Sequence, residues 1–299
     1  MTKQTTNKEG KISASMKLAK VAWRTLKLDK ELLIVSVIGL VISICIFVAF
    51  IVSLLLIVPS LTSTEPITGQ DLTSNLIYYL LTAIYLFTAL TVANFFSGAI
   101  SHAALERFRG GDPTVRSSLS AASKKTGPII ALSGLQATVG LVLQILGDRL
   151  PFAGKVATVI AGAAWGIATM FSIPIIMDGK ETGPIKTVRH SAKTFTNIWG
   201  ESISIGLGLG LIEIAFGVIM GLVLIGGIAL SIALSTWLYT IIAGTILIIG
   251  ILVVGTMLST LNIIIMTAAY HYASTNAIPA GFDNELIRSM FKPKKQWLR

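Results

Sequence analysis

The chain has 299 residues, of which 53% are apolar and 13% charged, with a mean hydropathy of +0.79. Soluble domains carry about a quarter charged residues, so this balance excludes an ordinary water-soluble enzyme, and a disordered chain would show the opposite bias. The net charge is nevertheless +10, so the placement of the basic residues decides whether a nucleic-acid partner is in prospect.

In chain order, residues 1–31 read as a basic segment carrying an amphipathic helix. Ile12, Met16, Ala19, Trp23 and Leu26 recur at helical spacing, and Lys17, Lys20, Arg24 and Lys27 line an adjacent stripe. That pattern suits a helix lying in the headgroup plane. A spanning helix needs about 20 mostly apolar residues, and Leu32 to Val58 supplies the first uncharged run. It is too long for a signal-peptide core of about 7–15 residues and is followed by no small-residue cleavage site. Its Cys45 is the single cysteine, so neither an internal disulfide nor a cysteine metal site is available.

Leu76 to Ser101 is the second run, with Asn94 toward its later end. Basic Arg107 and Arg109 follow, then the turn sequence GGDP at 110–113, where the glycines relieve strain and Asp112-Pro113 starts a helix. Pro128 to Leu146 is the third run and contains Gln136. Val156 to Met177 is the fourth; Gly162 and Gly166 share one helix face, and Pro174 is placed to kink or end it. The fifth span is expected at about 203–225. In it, Gly206/Gly210 and Gly217/Gly221 each place two glycines on one face for close packing. Paired Gly226-Gly227 is the expected turn, and the sixth span follows at about 237–270, with Asn262 inside it. At 1.5 Å per residue that span exceeds a bilayer core of about 30 Å, so it must tilt, kink near Gly250 or Gly255, or protrude. The segment 274–299 is a basic tail.

Of the 24 Lys and Arg residues, all but Arg149 and Lys155 fall at the termini or in the connections after the second and fourth runs. The positive-inside rule then gives six spans with both termini in the cytoplasm. The fold expected is an all-α, polytopic transmembrane bundle of about six spans in the cytoplasmic membrane. The charge becomes a topology and lipid-surface signal, with anionic headgroups and membrane proteins as partners and no nucleic acid. Lys17, Lys20, Arg24, Lys27, Arg107 and Arg109 are the candidate headgroup contacts, each worth about 1 kcal/mol near an anionic surface. The plainer reading makes them a topology signal without a specific lipid.

An internal repeat is visible. VAWRTLKLDKELL (21–33), TVRSSLSAASKKTGPII (114–130) and TVRHSAKTFTNIWGESI (187–203) each precede an odd-numbered span. ISHAA (100–104) matches AYHYA (269–273) at the ends of two even ones. Three parallel units, each an interfacial helix followed by a helical hairpin, account for this; the alternative is that any basic segment before a membrane span looks similar.

Glu213 is the one ionisable acid or base expected well inside a span, about 15 Å deep at 1.5 Å per residue. Burial there costs a few kcal/mol, so it is either protonated or faces a polar cavity. With Gln136, Asn94 and Asn262 it forms the candidate intramembrane polar site. His102, His190 and His271 sit at interfaces without metal-site spacing. There is no GxSxG, phosphate-loop or dinucleotide pattern, so the sequence assigns no catalytic, metal or cofactor-binding residue.

The runs FFSGAISHAALERFRGGDPTVRSSL (95–119), AWGIATMFSIP (164–174) and YHYA (270–273) resemble those of an uncharacterised family of prokaryotic six-span membrane proteins. They are also distantly similar to membrane domains attached to some glycerophosphodiester phosphodiesterases. The resemblance spans about residues 17–292 and implies a multi-helical membrane fold. It brings no catalytic residues, since none is established for the family, and with no appended soluble phosphodiesterase domain expected in this sequence that activity is not implied. Three functions stay open: a non-enzymatic organising or accessory protein, a small-solute or ion transporter using Glu213, and an enzyme acting on lipid headgroups near His102, Arg107, Arg109 and His271.

Overall fold

A computed structural model describes residues 30–57, 72–180, 183–199 and 204–279, with side chains described for 32–57, 76–180, 183–197 and 216–279. Every regular element among the described residues is a helix: α1 (Lys30–Ile57), α2 (Leu72–Phe108), α3 (Val115–Lys124), α4 (Thr126–Arg149), α5 (Phe152–Thr169), α6 (Ser172–Met177), α7 (Pro184–Trp199), α8 (Ser204–Ala233) and α9 (Leu238–Thr275). Six stretches are long and apolar enough to cross a membrane: Leu32–Ile57, Leu76–Phe108, Thr126–Arg149, Phe152–Met177, Phe216–Ala233 and Leu238–Thr275. In hydrocarbon each backbone polar group must be satisfied within its own segment, which explains a helical solution. Large side chains such as Val41, Leu56, Ile160 and Leu222 are exposed, as a lipid-facing surface requires. The chain is a multi-pass, all-helical membrane protein. It divides into two compact units, each described by itself.

One unit comprises Val37–Ala103 and Pro113–Phe195. Here α1 runs antiparallel to α2: Gly39 lies against Phe96, and Phe50 stacks on Tyr85 further along, with ring centroids 4.2 Å apart. A Cβ on Gly39 would stand 2.7 Å from the Phe96 ring, so glycine sets this approach. Helices α4 and α5 form an antiparallel hairpin in which Gly147 meets Thr158 and Gly162 meets Leu143. The core joins Ile129 and Leu132 of α4 to Ile176 of α6, with Phe95, Ile173 and Val188 packed around them.

The fourth span breaks before Pro174. A proline ring clashes with the carbonyl four residues back, here that of Met170, and offers it no donor. The helix accordingly stops at Thr169 and restarts at Ser172. The Phe171 N–H, fully buried at the break, donates to Ser191 Oγ of α7 at 2.9 Å. Short α3 begins with a capping box: Thr114 Oγ1 accepts from the Ser117 N–H at 3.0 Å, and Ser117 Oγ accepts from the Thr114 N–H at 2.9 Å.

The other unit comprises Ala104–Asp112 and the described residues within Met1–Ser36 and Thr196–Arg299. Its core holds Leu32 and Val35 of α1, Leu105 and Phe108 of α2, and Leu261, Ile264, Ala268 and Tyr270 of α9. Ser36 and Thr260 hydroxyls lie 2.7 Å apart and join α1 to α9.

The α8–α9 hairpin corrects the expected turn. Gly226-Gly227 stays inside α8, which continues to Ala233. The reversal falls at Ser235, whose φ is +48°, with the Thr236 N–H donating to Ser231 O at 3.0 Å. Ser231 Oγ also accepts from the Thr240 N–H at 2.8 Å and so closes the turn. Gly227 instead brings the helices together: an added Cβ would collide with Ala243 and stand 2.8 Å from Tyr239 O. The 38 residues of α9 form one helix, unbroken at Gly250 and Gly255, and end at Asn276 in the left-handed conformation.

Candidate functional site

Polar side chains inside the unit of α2–α7 gather where α2 crosses α4. Asn94 of α2 is buried, and its Nδ2 donates to Ser133 Oγ at 2.9 Å and to Gln136 Oε1 at 2.7 Å. Ser133 Oγ in turn donates to Ile129 O at 2.8 Å. Ser133 and Gln136 are three residues apart, so both project from one face of α4. The antiparallel course of α2 and α4 adds further rungs. Gln144 Nε2 donates to Tyr78 Oη at 3.3 Å, and Tyr79 Oη donates to an Asp148 carboxylate oxygen at 3.3 Å.

Gln136 and Asn94 of the predicted polar set are thus brought together. Asn262 is exposed on α9, in the other unit. Glu213 lies on α8, with its side chain outside the described residues. Ser133, which completes the amide pair, was missed by sequence reasoning. Its signal is the three-residue spacing from Gln136 in a mostly apolar run.

The packing glycines distribute unevenly. Gly162 has Leu143 at 3.9 Å from a built Cβ, whereas Gly166, Gly217 and Gly221 would meet nothing within 4 Å; the surroundings of Gly206 and Gly210 lie outside the described residues. Close approach falls at Gly39, Gly98 and Gly227, and at Gly250 beside Met220.

Among the candidate headgroup contacts, Lys17, Lys20, Arg24 and Lys27 lie outside the described residues, as does the amphipathic helix that carries them. Arg109 is exposed. Arg107 closes the turn after α2: its Nη2 lies 3.0 Å from Asp112 Oδ1 and its Nη1 donates to Gly111 O at 3.4 Å. Gly110 holds φ +85°, a conformation that suits glycine. The basic tail beyond residue 279 also lies outside the described residues. His102 and His190 are half-buried, and His271 is buried with its ring centroid 6.0 Å from that of Phe108. Among the described residues no three His, Cys, Asp or Glu side chains stand close enough to hold a metal ion.

The Asn94–Ser133–Gln136 cluster contains amides and a hydroxyl and no titratable group. It has no acid, base or nucleophile activated by a neighbour, and its hydrogen bonds run between its own helices. Such a cluster ties helices together, and in membranes such ties contribute about 0.6–2 kcal/mol each. No curated protein and no solved structure matches the chain. The match to a family extends over residues 76–281, from α2 to beyond the end of α9. The chain belongs to that family of unknown function, DUF6159.

Proposed function

We propose that this protein is a non-enzymatic organising or accessory protein of the cytoplasmic membrane, with its basic side and both termini in the cytoplasm. The observation that carries this reading is the hydrogen-bonded polar cluster between α2 and α4. Asn94 spends both amide hydrogens on Ser133 and Gln136, which supports a helix-packing role for these groups. The orientation rests on the positive-inside distribution of Lys and Arg. The basic side would meet anionic headgroups and neighbouring membrane proteins.

The test is reconstitution of the full chain in vesicles loaded with a pH-sensitive dye and placed under a proton or cation gradient. Leakage equal to that of protein-free vesicles is expected. Flux above that level, lost in Glu213→Gln, would replace this reading with the transporter. A reporter fused after Arg299 should read cytoplasmic, and an external reading would overturn the orientation.

A further inference from the structure

The two short helices between spans, α3 and α7, carry the same device. Each carries the sequence Thr-Val-Arg-x-Ser, at 114–118, where Thr114 is the N-cap of α3, and at 187–191 within α7. In each the serine is buried, Ser118 at 2% and Ser191 at 0% exposure, and the arginine two residues earlier is exposed. Two residues turn an α-helix by about 200°, so burial of the serine aims the arginine outward. The buried faces are made of small residues, Ser118 and Ala122 on α3 and Thr187, Ser191 and Thr194 on α7. These faces seat the short helices closely against their unit. The outward faces hold Arg116 and Lys124 on α3, and Lys186 and Arg189 on α7. None of these cations has a hydrogen bond or ion pair from its side chain to any described residue, although Lys180 and Arg107 elsewhere are paired.

Both helices lie at the same end of their unit. α2 and α4 are antiparallel, α4 and α5 are antiparallel, α3 joins the first pair, and α7 follows the second span of the hairpin. The ends of the spans therefore hold them at the level of the headgroups: α4 begins two residues after Lys124, and α7 begins seven residues after Met177. Ile185, one turn before Arg189 on the same face and beside Lys186, is 67% exposed. An exposed apolar side chain among exposed cations suits a surface that is anionic outside and apolar just below, which is a bilayer surface rather than an acidic protein.

We propose that the outward faces of α3 and α7 form a paired docking surface for anionic phospholipid headgroups. Arg116, Lys124, Lys186 and Arg189 neutralise phosphates, and Ile185 enters the apolar boundary. The proposal deepens, and rests on, the reading that the basic side of the chain meets anionic headgroups, but it does not depend on which leaflet that is.

The experiment measures the Tm of the full chain in nonionic detergent on addition of phosphatidylglycerol, phosphatidylcholine or inorganic phosphate. Phosphatidylglycerol should raise Tm above the other two. The rise should shrink in about 1 M salt, where screening acts over about 3 Å. In Arg116→Gln/Lys124→Gln/Lys186→Gln/Arg189→Gln most of the rise should be lost while the lipid-free Tm is retained. If that variant does not fold, the α3 pair and the α7 pair changed separately should each lose part of the rise. An undiminished rise in the variants, an equal rise with phosphatidylcholine, or an equal rise with inorganic phosphate would overturn the proposal. An external reading of the reporter at Arg299 would overturn the cytoplasmic orientation alone.

Discussion

Asn94 illustrates how much a single polar side chain decides in an apolar environment. Its amide joins two helices through Ser133 and Gln136, which in hydrocarbon have no water to turn to. Asn94→Ala should lower stability by about 1 kcal/mol, with an upper limit near 2, read as a lower Tm in detergent; an unchanged Tm would mean that the amide contributes nothing to packing. Ser191 is a second such residue. Ser191→Ala leaves the buried Phe171 N–H without its acceptor and should cost about 1–3 kcal/mol, measured as a shift in thermal or denaturant unfolding. Asn94 and Gln136 stand out in sequence because amides are rare in apolar runs. Their pairing is not legible there, because a linear pattern gives depth and face but not the neighbouring helix. Ser191 is hidden further, since one serine in a polar segment carries no mark of the backbone group it serves.

At the scale of elements, glycine meaning depends on what stands opposite. Gly226 and Gly227 are adjacent and identical in sequence, yet a side chain at Gly226 meets open space and one at Gly227 collides with α9. Gly227→Leu should cost about 1–3 kcal/mol by overpacking, whereas Gly226→Leu should be close to neutral; equal Tm values for the two variants would contradict the hairpin geometry. The paired glycines therefore mark a contact between α8 and α9, and the turn uses Ser235 and Thr236 with the carbonyl and hydroxyl of Ser231. Pro174 behaves more predictably. Its ring acts on the carbonyl of Met170 four residues back in the same span, so the break follows from local covalent geometry, although the acceptor for Phe171 comes from α7.

For the whole molecule, the six apolar stretches and the alternation of basic connections make a labelling prediction. In a Cys45→Ser background, Phe152→Cys, at the 83% exposed first residue of α5, should react with a membrane-impermeant maleimide in intact cells. Lys124→Cys should react only after the membrane is permeabilised; the reverse pattern would invert the topology. The sequence by itself determined the class of this protein, the number of spans and the charge asymmetry, because the bilayer imposes a length, an apolar composition and a sidedness that act on each segment independently. Tertiary structure alone decided which glycines touch, where α8 turns into α9, and which polar groups pair. It also decided that α3 and α7 turn buried hydroxyls inward and exposed arginines outward. Those outcomes depend on the surface presented by another helix, and complementarity between distant segments is not written in the local pattern of either one.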